Sequence, residues 1–185
     1  MIRLFVAVDL PESVREVLRG GLGRLRRDQP SARWVRAEAM HITLKFLGEQ
    51  GEDVVEALDV RMREAVPALA PVAVRLGGAG FFPNPRRPRV AWVGGQAEGL
   101  TAWAETVERC AGAVGVAPET RPFSLHLTLA RLERPWGVQA TEHFVVQVDK
   151  RSFPEFEARE IVLFRSELRP SGAQYTALRR WRVGS

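Results

Sequence analysis

The chain has 185 residues, a net charge of +5 and 45% hydrophobic content, enough for a buried core without covalent staples. A single cysteine excludes an internal disulfide, and with neither a cysteine cluster nor an HExxH pattern no metal site is expected. No apolar run is long enough to cross a bilayer, and the opening MIRLFVAVDL lacks the layout of a secretory signal, so a cytoplasmic protein without membrane contact is expected.

Residues 2–10 are apolar at both parities and predict a strand central in a sheet. Pro11 opens a predicted helix whose stripe is Val14, Val17, Leu18, Leu22 and Leu25. A strand carrying His41 comes after it, then a helix over 52–66 with Val55, Leu58, Met62 and Val66 on one side and Pro67 ending it. Strands are predicted near 71–77 and 89–94, with a basic proline-rich loop FFPNPRRPR at 81–89. A helix near 98–114 puts Cys110 on a stripe with Leu100, Trp103, Val107 and Val114, which reads as a packing thiol rather than a nucleophile. A strand holding His126 comes next. Residues 138–150 are ambiguous, with a short helix as one reading, and strands near 157–167 and 174–183 flank the turn signal RPSG. This mixture gives an α+β or α/β domain, and periodicity does not choose between them. No linker is visible in the composition.

The positive charge is carried by 25 Arg and only two Lys. Arginine's planar fork suits phosphate, so an anionic partner is one reading; codon usage in a GC-rich genome is the other.

The chemistry concentrates in a pattern that occurs twice: HITLKFLG at 41–48 and HLTLAR at 126–131. Two of the three histidines are each followed, two positions on, by a threonine, although the chain has only seven threonines. In an extended strand His41 and Thr43 share one face and Ile42 and Leu44 the other, and His126 and Thr128 do the same. Two imidazoles facing one substrate can work in tandem, one neutral and accepting a proton, the other protonated and donating one. In-line displacement at phosphorus needs a group on each side, which two strands across a cleft supply without a metal. The threonine hydroxyls can donate to nonbridging phosphate oxygens, and Arg131 would add positive charge. By strict alternation, however, Arg131 shares the face of Leu127 and Leu129 and reaches the cleft only if the strand ends or twists there. Lys45 has the parity of His41, with a solvated strand end as its plainer reading. Phe46, Phe82 and Trp92 could stack a base or serve as core. Arg86, Arg87 and Arg89 could guide an RNA backbone or merely solvate a turn. His143 has no matching context and reads as a surface residue.

The two HxTL motifs, with GFFPNPRRPRVAWVGG at 80–95 and LFRSELRPSGAQYTALRRWRV at 163–183, resemble the two-histidine (2H) phosphoesterase superfamily. Within it they are similar to the LigT-like or ThpR RNA 2',3'-cyclic phosphodiesterases, once described as 2'-5' RNA ligases. The resemblance implies one bilobal α+β domain over residues 1–185, with two antiparallel-sheet lobes and outer helices around a central cleft, related by a pseudo-twofold axis. It implies His41 as proton donor to the 3'-oxygen leaving group and His126 as the base that activates water, giving a 2'-phosphate. Thr43 and Thr128 match the family's phosphate-contacting threonines, and Arg131 matches the basic residue that closes the second motif, so all three are expected to bind substrate. No cofactor or metal is implied; the substrates would be RNA with 2',3'-cyclic phosphate ends or cyclic nucleotides. A monomer with no protein partner is expected, with 2'-5' ligation as a side activity. From the residues alone the two histidines are interchangeable. The competing reading is a non-catalytic nucleotide- or RNA-binding module using the same cleft, against which stands the pairing of two imidazoles suited to proton transfer.

Overall fold

The computed structural model describes residues 1–29, 31–169 and 172–184. The predicted central strand is β1 (Ile2–Val8), which runs antiparallel between β3 (Ile42–Gln50) and β8 (Glu160–Arg169). Its even residues Leu4, Val6 and Val8 enter the main core, while Phe5 and Ala7 pack on the other face.

The helix expected from Pro11 onward is two helices, α1 (Glu12–Gly21) and α2 (Gly23–Asp28), parted at Leu22. Gly20, Gly21 and Gly23 cause the break, since each glycine weakens a helix by about 1 kcal/mol relative to alanine. The apolar stripe survives it: Val14, Leu18, Leu22 and Leu25 are all buried. Helices α3 (Glu52–Ala65) and α4 (Leu100–Ala113) match expectation, and the ambiguous segment is helix α5 (Val138–Asp149).

Strand β4 (Val72–Phe82) extends beyond its predicted end through a register shift between Leu76 and Ala79, where Gly78 takes φ +71°. Phe81 and Phe82, expected in a loop, therefore end a strand. The remaining strands are β5 (Val90–Gln96), β6 (Leu127–Leu132) and β9 (Gly172–Arg182), with two short ones that periodicity missed, β2 (Ala32–Trp34) and β7 (Phe156–Ala158). Three-residue strands are too short to show an alternation. The turn expected at RPSG includes residues 170–171, which lie outside the described residues.

The strands join antiparallel in the order β7-β4-β5-β6-β3-β1-β8-β9, with β2 paired to β6. Apart from α2, β2 and β7, the chain up to β8 reads as two units of identical order, β1-α1-β3-α3-β4 and β5-α4-β6-α5-β8. In each unit the first two strands pair together, but the third pairs with the first strand of the other unit, β4 with β5 and β8 with β1. Both lobes, β3-β1-β8-β9 and β6-β5-β4-β7, thus contain strands from both halves of the chain. This exchange explains why no linker is visible in the composition. The fold is α+β, two antiparallel lobes related by a pseudo-twofold axis.

The lobes meet where Ile42 of β3 opposes Leu127 of β6. Both side chains are fully buried, each contributing about 1.5–3 kcal/mol by leaving water. Helical residues such as Leu18, Leu58, Val107 and Phe144 join them in the main core. The opposite face of the curled sheet carries a smaller cluster, Phe5, Ala7, Val162 and Phe164, with Tyr175 packed against it.

Candidate active site

His41 and His126 stand immediately before β3 and β6, so each is the residue next to the Ile42–Leu127 pair that joins the lobes. The motifs, far apart in sequence, are brought together at this seam. The two imidazoles are close enough that positive charge on His126 disfavours protonation of His41.

Each ring is held in the same way. Nδ1 of His41 lies 2.9 Å from the carbonyl oxygen of Ala39, and Nδ1 of His126 lies 2.8 Å from that of Ser124. A carbonyl oxygen can only accept, so in both rings Nδ1 carries the proton and Nε2 keeps its lone pair. The walls differ. His41 stacks on Phe5 at 4.4 Å and meets Tyr175 edge-on at 5.2 Å, whereas His126 meets Phe82 edge-on at 4.9 Å. Burial is the main reason that both imidazoles lose protons readily, His41 down to about 4. The Ala39 carbonyl and the Asp9 carboxylate partly offset this at His41, and the Ser124 carbonyl does so at His126. Arg121 and Arg131 push His126 further down. An empty site near neutral pH therefore holds two neutral imidazoles.

Thr43 and Thr128 are half-buried, opposite Ala7 and Trp92 respectively. The strand beyond each threonine decides the rest of the site. Along β3, Thr43 opposes Ala7, Lys45 opposes Val6 and Phe46 opposes Phe5, leaving Leu44 as an extra residue. Along β6, Thr128 opposes Trp92, Ala130 opposes Ala91 and Arg131 opposes Val90, leaving Leu129 extra. Both strands thus bulge at the third residue after the histidine, and a bulge inverts the parity of everything beyond it. Arg131 consequently joins His126 and Thr128 on the open face, near enough to act electrostatically on both His126 and Tyr175. The expectation from strict alternation fails there for this reason.

The same bulge removes Lys45 from the site. Its side chain is only 2% exposed and donates to Glu108 Oε2 at 2.7 Å and to the Ala117 carbonyl at 3.0 Å. The position matching Arg131 in the first motif is Phe46, which is 52% exposed. Trp92 lies flat over Gly80, where a Cβ would collide with the indole, and packs against Phe82 at 5.2 Å.

In the loop after β4, the Asn84 side chain accepts the amides of Arg86 and Arg87, whose own side chains are exposed. Arg89 instead donates to the Glu133 carbonyl at 3.2 Å. His143 is a surface residue, 3.1 Å from Asp28 Oδ2. Cys110 is buried with its thiol pKa raised by that burial, consistent with packing. Among the described residues, no three His, Cys, Asp or Glu side chains converge on a position that could hold a metal ion.

Sequence reasoning did not identify Phe5, Phe164 or Tyr175 as walls of the site. Alternation along β1 does place Phe5 and Ala7 on one face, but β8 and β9 reach the first histidine only through the strand exchange. The Ala39 and Ser124 carbonyls left no signal, since any residue type can offer a backbone oxygen.

The profile of the LigT-like phosphoesterases matches the chain twice in succession, over residues 8–92 and 93–175, so that each match contains one HxT motif. An RNA 2',3'-cyclic phosphodiesterase of Archaeoglobus fulgidus is 37% identical over 96% of this chain and 98% of its own. One from Thermus thermophilus is 35% identical over 97% and 89%. Among solved structures, a Thermus thermophilus protein superposes with a TM-score of 0.81 at 31% identity, covering 99% and 98% of the two chains. LigT of E. coli complexed with 3'-AMP gives 0.77 at 26% identity, covering 100% and 99%. With two matched half-sites on one seam, and with sequence and fold agreeing over the whole length, the chain belongs to the LigT-like phosphoesterases of the 2H superfamily.

Proposed function

We infer that the chain hydrolyses 2',3'-cyclic phosphate at an RNA end or on a nucleotide, with His126 as base and His41 as acid. Neutral His126 accepts a proton at Nε2 from a water molecule as its oxygen bonds to phosphorus. The P–O3' bond breaks, His41 donates its Nε2 proton to O3', and a 2'-phosphate remains. His41 reaches its protonated form when the phosphate anion binds beside it, because a nearby negative charge offsets the burial that keeps it neutral in the empty site. Thr43 and Thr128 donate to nonbridging oxygens, and Arg131 meets the charge that builds on them. The reaction uses no metal or cofactor. A 5'-hydroxyl in place of water would form a 2'-5' linkage as a side activity. The protein works as a cytoplasmic monomer without a protein partner.

The observation that carries this reading is the matched pair of Nδ1–carbonyl contacts, which gives both imidazoles a free Nε2 at one seam. The relatives named as RNA 2',3'-cyclic phosphodiesterases and the 3'-AMP complex of LigT support the substrate. Arg86 and Arg87, exposed on the loop after Phe82, meet the RNA backbone, whereas the Arg89 side chain is taken up by the Glu133 carbonyl just after β6.

The test is product analysis on a short RNA with a terminal 2',3'-cyclic phosphate, with and without EDTA. A 2'-phosphate in both samples is expected; a 3'-phosphate product, or activity lost to EDTA, overturns the reading. Replacing Arg86 and Arg87 with alanine should weaken RNA binding and flatten its salt slope by about 0.7 for each phosphate no longer neutralised, sparing a cyclic mononucleotide. Equal losses on both substrates would exclude the guiding role.

A further inference from the structure

The turn that precedes His41 is held by a residue from another element. The residues Ala37–Ala39 form one 3-10 turn, in which the Met40 amide bonds the Ala37 carbonyl at 3.2 Å. The third residue of that turn supplies the carbonyl that fixes the His41 ring. Arg15 of α1 reaches across, its side chain only 12% exposed, and donates from Nη1 to the Ala37 carbonyl and, at a longer 3.4 Å, to the Met40 carbonyl. The Met40 carbonyl belongs to the peptide bond that begins His41 itself.

The guanidinium is anchored at its other end. Nε donates to the Leu10 carbonyl at 3.2 Å and Nη2 to Asp9 Oδ1, which also accepts the Leu10 amide at 3.0 Å. One planar group thereby ties the end of β1 to both ends of the turn. Only arginine has the fork for this, because lysine offers one nitrogen and cannot span acceptors that lie on different sides. The second half-site has no such brace close to its histidine among the described residues. There Lys45 holds the Ala117 carbonyl, Glu108 holds the Glu119 amide and Glu119 accepts the amides of Thr120 and Arg121, all upstream of Ser124 and His126.

We propose that Arg15, anchored by Asp9, is a positioning residue for His41: it holds the Ala37–Met40 turn so that the Ala39 carbonyl keeps the proton on Nδ1 and leaves Nε2 as the reacting nitrogen. Arg15 touches no reacting atom in this scheme. It acts on the acid half of the site and leaves the base half alone. The proposal rests on His41 being a reacting group, so its test includes a readout independent of turnover.

The experiment compares Arg15→Met, Arg15→Lys and the natural protein by nitrogen-15 NMR of the histidine rings and by kinetics on a cyclic mononucleotide. In the natural protein His41 and His126 both give the signature of a proton on Nδ1. In Arg15→Met, His41 should become a mixture of tautomers while His126 does not change. The kcat should fall about 10- to 100-fold, the scale on which misplacing a reacting group acts, with KM moving less than about 3-fold. Arg15→Lys should not rescue either property, and Asp9→Asn should show the same pattern more weakly. An unchanged His41 tautomer in both Arg15 variants, or a loss confined to KM, overturns the proposal. Should Arg15→Met melt below the assay temperature, Arg15→Lys carries the same comparison. Full activity in His41→Ala would instead sink the catalytic reading, while the tautomer result would still decide whether Arg15 sets the ring.

Discussion

The half-sites around His41 and His126 share a backbone plan and differ in everything that surrounds it. In both, an imidazole bonds a carbonyl two residues upstream, a threonine lies two residues on along the open face, and a bulge re-aims the residue five positions after the histidine. The first half-site then presents Phe46 against Phe5, which itself packs on Phe164 and Tyr175; the second presents Arg131 opposite Val90, on the strand whose Thr128 opposes Trp92. Repeating the plan gives two imidazoles held alike at one seam. Both sides carry aromatic rings, and varying the side chains puts Phe46 on one and the cationic Arg131 on the other.

The largest effects test what the halves share. His41→Ala and His126→Ala should each lower kcat by about 10²- to 10⁴-fold with little change in melting temperature. Retention of more than about a tenth of natural activity by either variant would break the symmetry of the proposed mechanism. Next comes the residue at which the halves part. Arg131→Met should lower kcat/KM by about 10²-fold, the scale for removing one donor from a site of developing charge, whereas Phe46→Leu should act chiefly on KM. Equal kcat losses from the two would argue that Phe46 and Arg131 do not divide the work.

A smaller effect concerns protonation. Both imidazoles are neutral in the empty site near pH 7, and the proposed acid needs a proton, so binding of a 3'-nucleotide should take up as much as one proton. Calorimetry in buffers of different ionisation enthalpy measures this, and binding without uptake would leave His41 unable to act as the acid. The same burial sets a stability trend. The His41 pKa falls from 6.5 to about 4 on folding, so the unfolded chain binds more protons between those values, and stability declines as pH drops through that window. Replacing His41 with phenylalanine should flatten that decline in melting temperature. The smallest effect on catalysis is expected at Lys45, on the helix side of its strand. Lys45→Met should destabilise the fold through the unpaired Glu108 while leaving kcat on a cyclic mononucleotide within about 2-fold.

Much of the site was legible because strand chemistry is local. The repeat named His41, Thr43, His126 and Thr128, and alternation put each pair on one face. Alternation could not show the extra residue at Leu44 and Leu129, since a bulge is defined by the partner strand and neither leucine differs from an ordinary strand residue. Lys45 and Arg131 were therefore both aimed at the wrong face, and a single kind of irregularity corrected both. Glycines had a similar influence at Gly20–Gly23, where the stripe of leucines continued across a break in the helix. The brace from Arg15 left no trace in periodicity, because its partners, apart from the Asp9 carboxylate, are carbonyl oxygens.

The sequence by itself determined that this chain carries two equivalent histidine–threonine strands, a packed core around them and an excess of arginine. Those properties depend on side-chain type and short spacing, which a linear chain displays directly. Only the tertiary structure decided that the strands meet at Ile42 and Leu127, that each lobe borrows a strand from the other half, and that Arg131 rather than Lys45 faces the cleft. Those outcomes depend on pairing between segments distant in sequence, where register is set by the buried faces of both partners at once.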